Sequence, residues 1–392
     1  MSGVRVSDWR KLPLSLAELC IDTTLRCGQS FRWRKLGDEW HCALHGRLVS
    51  LKQDPTHLHY RAAWPAPSAL SPAPVDDTAA LVRSYFALSL SLESLYDQWS
   101  ASDANFARRA GAFSGIRILN QDAWEALVGF ICSSNNNIAR IGQMVHKLCL
   151  HYGPYVGNVD GEAFHDFPPP AALAGDRVEA HLRTLGFGYR AKYIAETARV
   201  IADERPAGWL LSMRNPDWPP LGGPAYEGQE HKPTYRAAHD ALLELTGVGP
   251  KVADCVCLMG LGWHEAIPVD THVWQIAQRD YKFGKGVKTK TLSKVLYDAV
   301  GDHFRAIWGP QAGWAQSVLF TANLRSFADQ ASGKVEKVKV ETAKVKMEEI
   351  VASGSTRTRK RRIVEAEVPL KREQVKEAVR TTRTSKRRRA GP

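Results

Sequence analysis

The sequence predicts an α+β fold in three parts: an N-terminal antiparallel β-sheet domain over residues 1–115, a larger all-helical body over 116–330 on which the sheet packs, and a disordered basic tail over 331–392. Short aromatic and β-branched runs between turn residues predict the sheet. Apolar residues at three- and four-residue spacing predict the helical body. The loss of every aromatic residue past Gln330 predicts the tail.

After a short lead-in, the stretches QSFRW, EWHCALHG, RLVSLKQ and HLHYRAA are separated by Gly37-Asp38, His45-Gly46 and Asp54-Pro55. Spacings this tight suit hairpins, so residues 30–62 read as an antiparallel meander. A Pro/Ala linker, AWPAPSALSPAP, follows. From Asp76 the helical period is clear in DDTAALVRSYFALSLSLESLYDQW, QDAWEALVGFICSS, NIARIGQMVHKLCLHYG and YRAKYIAETARVIAD. Residues 205–233, rich in Pro and Gly, interrupt that pattern and read as a surface loop. The tail mixes Lys, Glu and Val and cannot bury enough apolar surface to offset the entropy of ordering.

The net charge of +12 belongs almost wholly to the tail. Residues 331–392 carry 19 Lys and Arg against 8 Asp and Glu, leaving 34 basic and 33 acidic groups in the rest. The tail clusters Arg359-Lys360-Arg361-Arg362 and Lys386-Arg387-Arg388-Arg389 resemble nuclear localisation signals. They suit nonspecific affinity for nucleic acid equally well. No apolar run reaches the roughly 20 residues that a membrane span requires, so no membrane partner is expected. The N-terminal MSGVRVSDWRKLPLSL lacks the apolar core of a secretory signal and carries an acid. A nuclear location is expected, with a mitochondrial pool left open. Seven scattered cysteines without a C-x-x-C pair suggest free thiols in a reducing compartment. The spacings of an iron-sulfur cluster or a zinc deaminase are missing as well, and no metal is expected.

The chemistry is concentrated in ALLELTGVGPKVADCVCLMGL, which reads as helix, Gly-x-Gly hairpin and second helix. Gly247 and Gly249 permit positive φ and close approach of a backbone. Pro250 suits the first helical position. The exposed amides of such a hairpin form an anion site that a DNA phosphate would fill, although a plain tight turn fits these residues equally well. Lys251 stands at the positive end of the new helix, where a cation is disfavoured. Partial desolvation there would favour the neutral, nucleophilic amine; the plainer reading is a lysine reaching to solvent. Nineteen residues later, in AIPVDTHVWQIAQRDY, Asp270 precedes a further helical run. It reads as an N-cap, or as a carboxylate fixed beside the amine to accept a proton and stabilise positive charge on a sugar ring.

LTGVGPKVADCVCLM and IPVDTHVWQIAQRDY together resemble the helix-hairpin-helix, Gly/Pro-rich, Asp family of base-excision DNA glycosylases. GQSFRW, FICSSNNNIARI, LGFGYRAKYI and GWAQSVLFTANLR resemble its eukaryotic 8-oxoguanine glycosylase/AP lyase branch. The blocks run in order from about residue 8 to 328. The loop at 205–233 is longer than the family norm. The resemblance implies a TBP-like sheet on a helix-hairpin-helix body. It also implies excision of 8-oxoguanine, and of formamidopyrimidine-guanine, opposite cytosine in duplex DNA by a monomer without a cofactor. Lys251 would attack C1′ and form the Schiff base, with Asp270 assisting departure of the base. A noncatalytic helix-hairpin-helix DNA-binding protein and a glycosylase for other oxidised bases are the rival readings.

The resemblance also assigns the remaining site residues. Asn135 matches the residue that enters the duplex when the base is flipped out, and Tyr189 the neighbouring wedge. Arg140 and Arg190 match the pair that reads the estranged cytosine. Gly28 matches the glycine whose carbonyl accepts from N7–H, the donor that 8-oxoguanine has and guanine lacks. Gln316 and Phe320 match the amide on the base edge and the stacking ring. Cys255 matches the opposite wall, His272 a residue near the phosphates, and Gly247 and Gly249 the hairpin on the DNA backbone.

Overall fold

The computed structural model describes residues 5–65, 75–221, 232–284 and 292–328. All of these belong to one compact unit, Met1–Glu336; a second unit, Lys337–Pro392, lies outside the described residues, and with it the expectation of a disordered basic tail.

The N-terminal sheet contains β1 (Arg5–Val6), β2 (Arg10–Pro13), β3 (Arg34–Leu36), β4 (Glu39–Leu44), β5 (Arg47–Gln53) and β6 (His57–Trp64). β3 to β6 form the expected antiparallel meander, while β1 and β2, from the lead-in, both pair with β6. Alternation along β6 sends Leu58, Tyr60, Ala62 and Trp64 into the core. Gln29–Trp33 of QSFRW is not a strand. The buried Gln29 amide donates to the Arg117 carbonyl at 2.8 Å and accepts from the Leu119 amide at 2.9 Å, which binds this segment to the helical side.

A one-turn α1 (Ile21–Thr24) precedes the meander. The helices then follow as α2 (Thr78–Tyr85), α3 (Leu92–Ser102), α4 (Ala104–Ala110), α5 (Ala123–Cys132) and α6 (Ile138–Tyr152). Next come α7 (Pro170–Leu173), α8 (Val178–Thr184), α9 (Arg190–Arg199), α10 (Trp209–Ser212), α11 (Tyr235–Leu243) and α12 (Pro250–Met259). α13 (Thr271–Tyr281), α14 (Lys294–Trp308) and α15 (Ala312–Asn323) complete the body. The body is not purely helical: β7 (Tyr155–Val159) and β8 (Glu162–His165) form a hairpin whose Val156 and Phe164 pack on Ala43 and Leu48 of the sheet. Asp160 and Gly161, both at positive φ, make its turn.

The start of the 205–233 loop is fixed rather than loose. Arg214 is buried, donates to the Trp218 carbonyl at 2.8 Å and to Gly260 O at 2.5 Å, and also bonds the Asn120 side chain. Four hydrogen-bonded partners are what an interior guanidinium requires, here with the Pro219 carbonyl as the fourth at 3.0 Å. Residues 222–231 of that loop lie outside the described residues, as do 66–74 of the linker. No helix among the described residues is long and apolar enough to cross a membrane.

Candidate active site and nucleic-acid interface

α11 and α12 are joined by the hairpin that carries Gly247 and Gly249. Gly247 has φ +81°, and a Cβ there would lie 2.5 Å from the Tyr193 ring. Gly249 departs from the expectation of positive φ. It is extended at φ −100°, ψ 176°, and the space where a Cβ would sit is open. The fold itself therefore does not require a glycine at this position. Gly247→Ala should therefore cost folding stability, seen as a lowered Tm. Gly249→Ala should leave Tm within about 2 °C but weaken DNA binding by roughly tenfold or more, since about 1–3 kcal/mol attaches to one blocked hydrogen bond. Unchanged affinity in the Gly249 variant would remove the phosphate role.

Pro250 occupies the first turn of α12 as expected, and Lys251 follows, half-buried. Its Nζ donates to Ser133 Oγ at 3.1 Å and stands 5.0 Å from the centre of the Phe130 ring. Ser133 in turn donates to the Phe130 carbonyl at 2.6 Å, so its oxygen faces the amine as an acceptor. The aromatic face holds the ammonium that the helix end repels. One turn on, burial pushes the Cys255 thiol up to about 11, with the Lys251 charge opposing and Asp270 adding. Cys255 is thus a buried, neutral thiol rather than a second nucleophile.

Of the two readings that the sequence allows for Asp270, the structure shows the cap. It N-caps α13, its Oδ1 accepting from the Val273 amide at 2.9 Å. Oδ2 takes no hydrogen bond among the described residues. A carboxylate held by one oxygen with the other free is equipped to receive a proton or face a cation.

Gly28 sits at φ +89° with Ile138 Cδ1 2.9 Å from where a Cβ would be. Its carbonyl accepts no hydrogen bond among the described residues. The neighbouring Cys27 thiol receives the Gln29 amide at 3.3 Å and meets the Thr321 hydroxyl, which brings Gly28 to α15, where Gln316 and Phe320 lie. Gln316 is 6% exposed, and its side chain makes no hydrogen bond among the described residues. The amide atoms nonetheless keep some contact with solvent, which leaves their donors and acceptor open to a ligand. Phe320 is half-buried and meets His272 edge-on at 5.8 Å. Arg279 donates to Asn323 Oδ1 at 3.0 Å, which directs the Asn323 amine toward His272 Nδ1 at 3.3 Å. No hydrogen bond joins Gly28, Cys255 and Gln316 to one another.

Asn135 is exposed at the tip between α5 and α6, with φ +47°. The Tyr189 hydroxyl donates to the Ser134 carbonyl at 3.0 Å, and the ring is 44% exposed. Arg190 differs from a free base reader. It is buried, and its guanidinium donates to Ser134 O from Nε at 3.1 Å and to Asn135 O from Nη2 at 3.0 Å. A buried cation must be paired, and the carbonyls of the turn that follows α5 satisfy it. Arg190 thus holds the Asn135 tip in shape, while Arg140 remains exposed with only a 3.5 Å contact to Gly186 O. Sequence reasoning missed Phe130 and Ser133, two of the groups that the amine meets. Their spacing of three within FICSS was the available signal.

Residues 11–127 match the family described as "8-oxoguanine DNA glycosylase, N-terminal domain", and residues 128–297 match "HhH-GPD superfamily base excision DNA repair protein". The N-glycosylase/DNA lyase of Saccharomyces cerevisiae is 39% identical over 339 residues, 80% of this chain and 86% of that one. The Arabidopsis thaliana N-glycosylase/DNA lyase OGG1 is also 39% identical, over 81% of this chain and 80% of its own. A solved structure titled MBOgg1 in complex with a low affinity DNA ligand superposes with a TM-score of 0.64 at 25% identity, covering 82% of this chain and 98% of that one. By these matches the chain belongs to the 8-oxoguanine DNA glycosylase family of helix-hairpin-helix base-excision repair proteins.

Proposed function

We propose that the chain excises 8-oxoguanine opposite cytosine from duplex DNA and then cuts the strand at the abasic site. The observation that carries this reading is an amine at a helix start, held on Ser133 and Phe130, in a domain where the capping carboxylate Asp270 keeps one oxygen unbonded. The neutral amine of Lys251 forms a bond to C1′ as the N9–C1′ bond breaks and the base departs with a proton. Opening of the sugar ring at O4′ gives the imine. Loss of a C2′ proton then expels the 3′ phosphate by cleavage of C3′–O, and water releases the lysine. Asp270 offsets positive charge on the sugar and takes or returns protons through Oδ2.

The unpaired Gly28 carbonyl and Gln316 amide supply the base contacts, Phe320 and Cys255 the faces. Asn135 and Tyr189 fill the gap left by the flipped base. Arg140 reads the cytosine edge, with Arg190 fixing the tip. The protein acts as a monomer.

Borohydride trapping on duplexes pairing 8-oxoguanine with each base tests the reading. The adduct should form with cytosine at least about tenfold faster than with adenine, because hydrogen bonds from the Arg140 guanidinium to the cytosine edge are worth about 1.5–3 kcal/mol. Equal trapping would remove the pairing claim, and absent trapping the lyase. We further propose a nuclear location directed by the tail clusters. A chain ending at Gln330 should keep excision while losing nuclear enrichment and salt-sensitive DNA affinity.

A further inference from the structure

Asp254 lies between Lys251 and the next turn of α12 and is 1% exposed, yet it carries a carboxylate. Both oxygens are taken by tyrosines: Tyr235 OH donates to Oδ1 and Tyr297 OH to Oδ2, each at 2.5 Å. His239 Nε2 stands 3.7 Å from Oδ1. Burial raises the affinity of Asp254 for a proton, and the nearby His239 together with the two hydroxyls opposes it. An apolar residue would fill this place in the core at less cost.

The two tyrosines differ in what else they reach. The Tyr297 oxygen also accepts from the Val269 amide at 3.2 Å. Val269 immediately precedes Asp270, whose own Oδ1 closes the start of α13. One chain of hydrogen bonds therefore runs from the helix bearing Lys251, through Tyr297 of α14, to the segment that presents Asp270. The Tyr235 hydroxyl, at the start of α11, bonds only Asp254 among the described residues, while its ring lies against the Arg236 and Arg305 guanidiniums.

We propose that Asp254 and Tyr297 are positioning residues that fix the Asp270 carboxylate relative to the Lys251 amine. This rests on the excision chemistry given above. A displacement of about 1 Å between reacting groups costs about a hundredfold in rate, so a tie of this kind acts on the chemical step and leaves DNA binding alone.

Tyr297→Phe and Tyr235→Phe in the full chain each remove one buried hydroxyl from Asp254, and only the first releases Val269. Single-turnover excision from an 8-oxoguanine:cytosine duplex, the DNA dissociation constant and Tm are measured for both. Tyr297→Phe should slow excision about 10- to 100-fold with affinity within about twofold. Tyr235→Phe, at a comparable loss of Tm, should stay within about threefold of wild type. Asp254→Asn, whose amide cannot accept from both hydroxyls, should follow Tyr297→Phe and serves if that variant fails to fold. Equal slowing by both tyrosine variants, or a wild-type rate in Tyr297→Phe and Asp254→Asn, would overturn the proposal. Wild-type protein that does not excise at all would instead sink the function on which it rests.

Discussion

Lys251→Gln should give no borohydride adduct and lose excision by at least about 10⁴-fold, on the scale of removing a nucleophile. The substitution isolates the chemistry. A glutamine amide can still donate toward Ser133 Oγ, the acceptor that the lysine uses at 3.1 Å, so the end of α5 keeps its contact. The hairpin amides around Gly247 and Gly249 are untouched, and affinity for DNA should fall less than about tenfold. Cys255 cannot take over. Its thiol is already pushed up to about 11 by burial, and the Lys251 cation is the first influence holding it down. Removing that cation moves the thiol further from ionisation, and the thiolate is the nucleophile. A trapped adduct in Lys251→Gln, measured by gel shift after reduction, would place the nucleophile elsewhere.

The parts of this site that sequence makes legible are those whose cause is local. Pro250 at the helix start, the positive φ of Gly247 and the cap at Asp270 each follow from a few adjacent residues. The meander likewise follows from turns next to its strands. What sequence leaves open depends on distant chain. The destination of the Arg190 charge is set by carbonyls more than 50 residues earlier, in a tip whose shape only the packed body defines. The Phe130 ring beneath Lys251 comes from a helix over 100 residues away, and its role is indistinguishable from core packing in one dimension. Tyr297 is the same case, a hydroxyl whose partners are Asp254 of α12 and Ile267 and Val269 of the segment before α13. The β7–β8 hairpin is different: VDGE carries a strong turn signal that the flanking helical periodicity masks.

Asp270→Asn separates capping from catalysis. Asparagine caps helices as well as aspartate does, and its oxygen can accept from the Val273 amide as Oδ1 does at 2.9 Å. Tm should therefore stay within about 2 °C of wild type. The free Oδ2 becomes an NH₂ group, which neither accepts a proton nor offsets positive charge on the sugar. Excision should fall about 10²- to 10⁴-fold, the range for general acid–base groups. Asp270→Ala also loses the cap, costing about 1 kcal/mol and lowering Tm by about 2–4 °C, while its rate should match that of the asparagine variant. Matching rates at different stabilities would assign the defect to the carboxylate alone. If Asp270→Asn excises within about threefold of wild type while Asp270→Ala does not, the residue serves the fold as a cap, and the proton acceptor must be sought elsewhere. Thermal melts beside single-turnover excision on one preparation decide between these outcomes, because capping acts on Tm and the charge at Oδ2 on the rate.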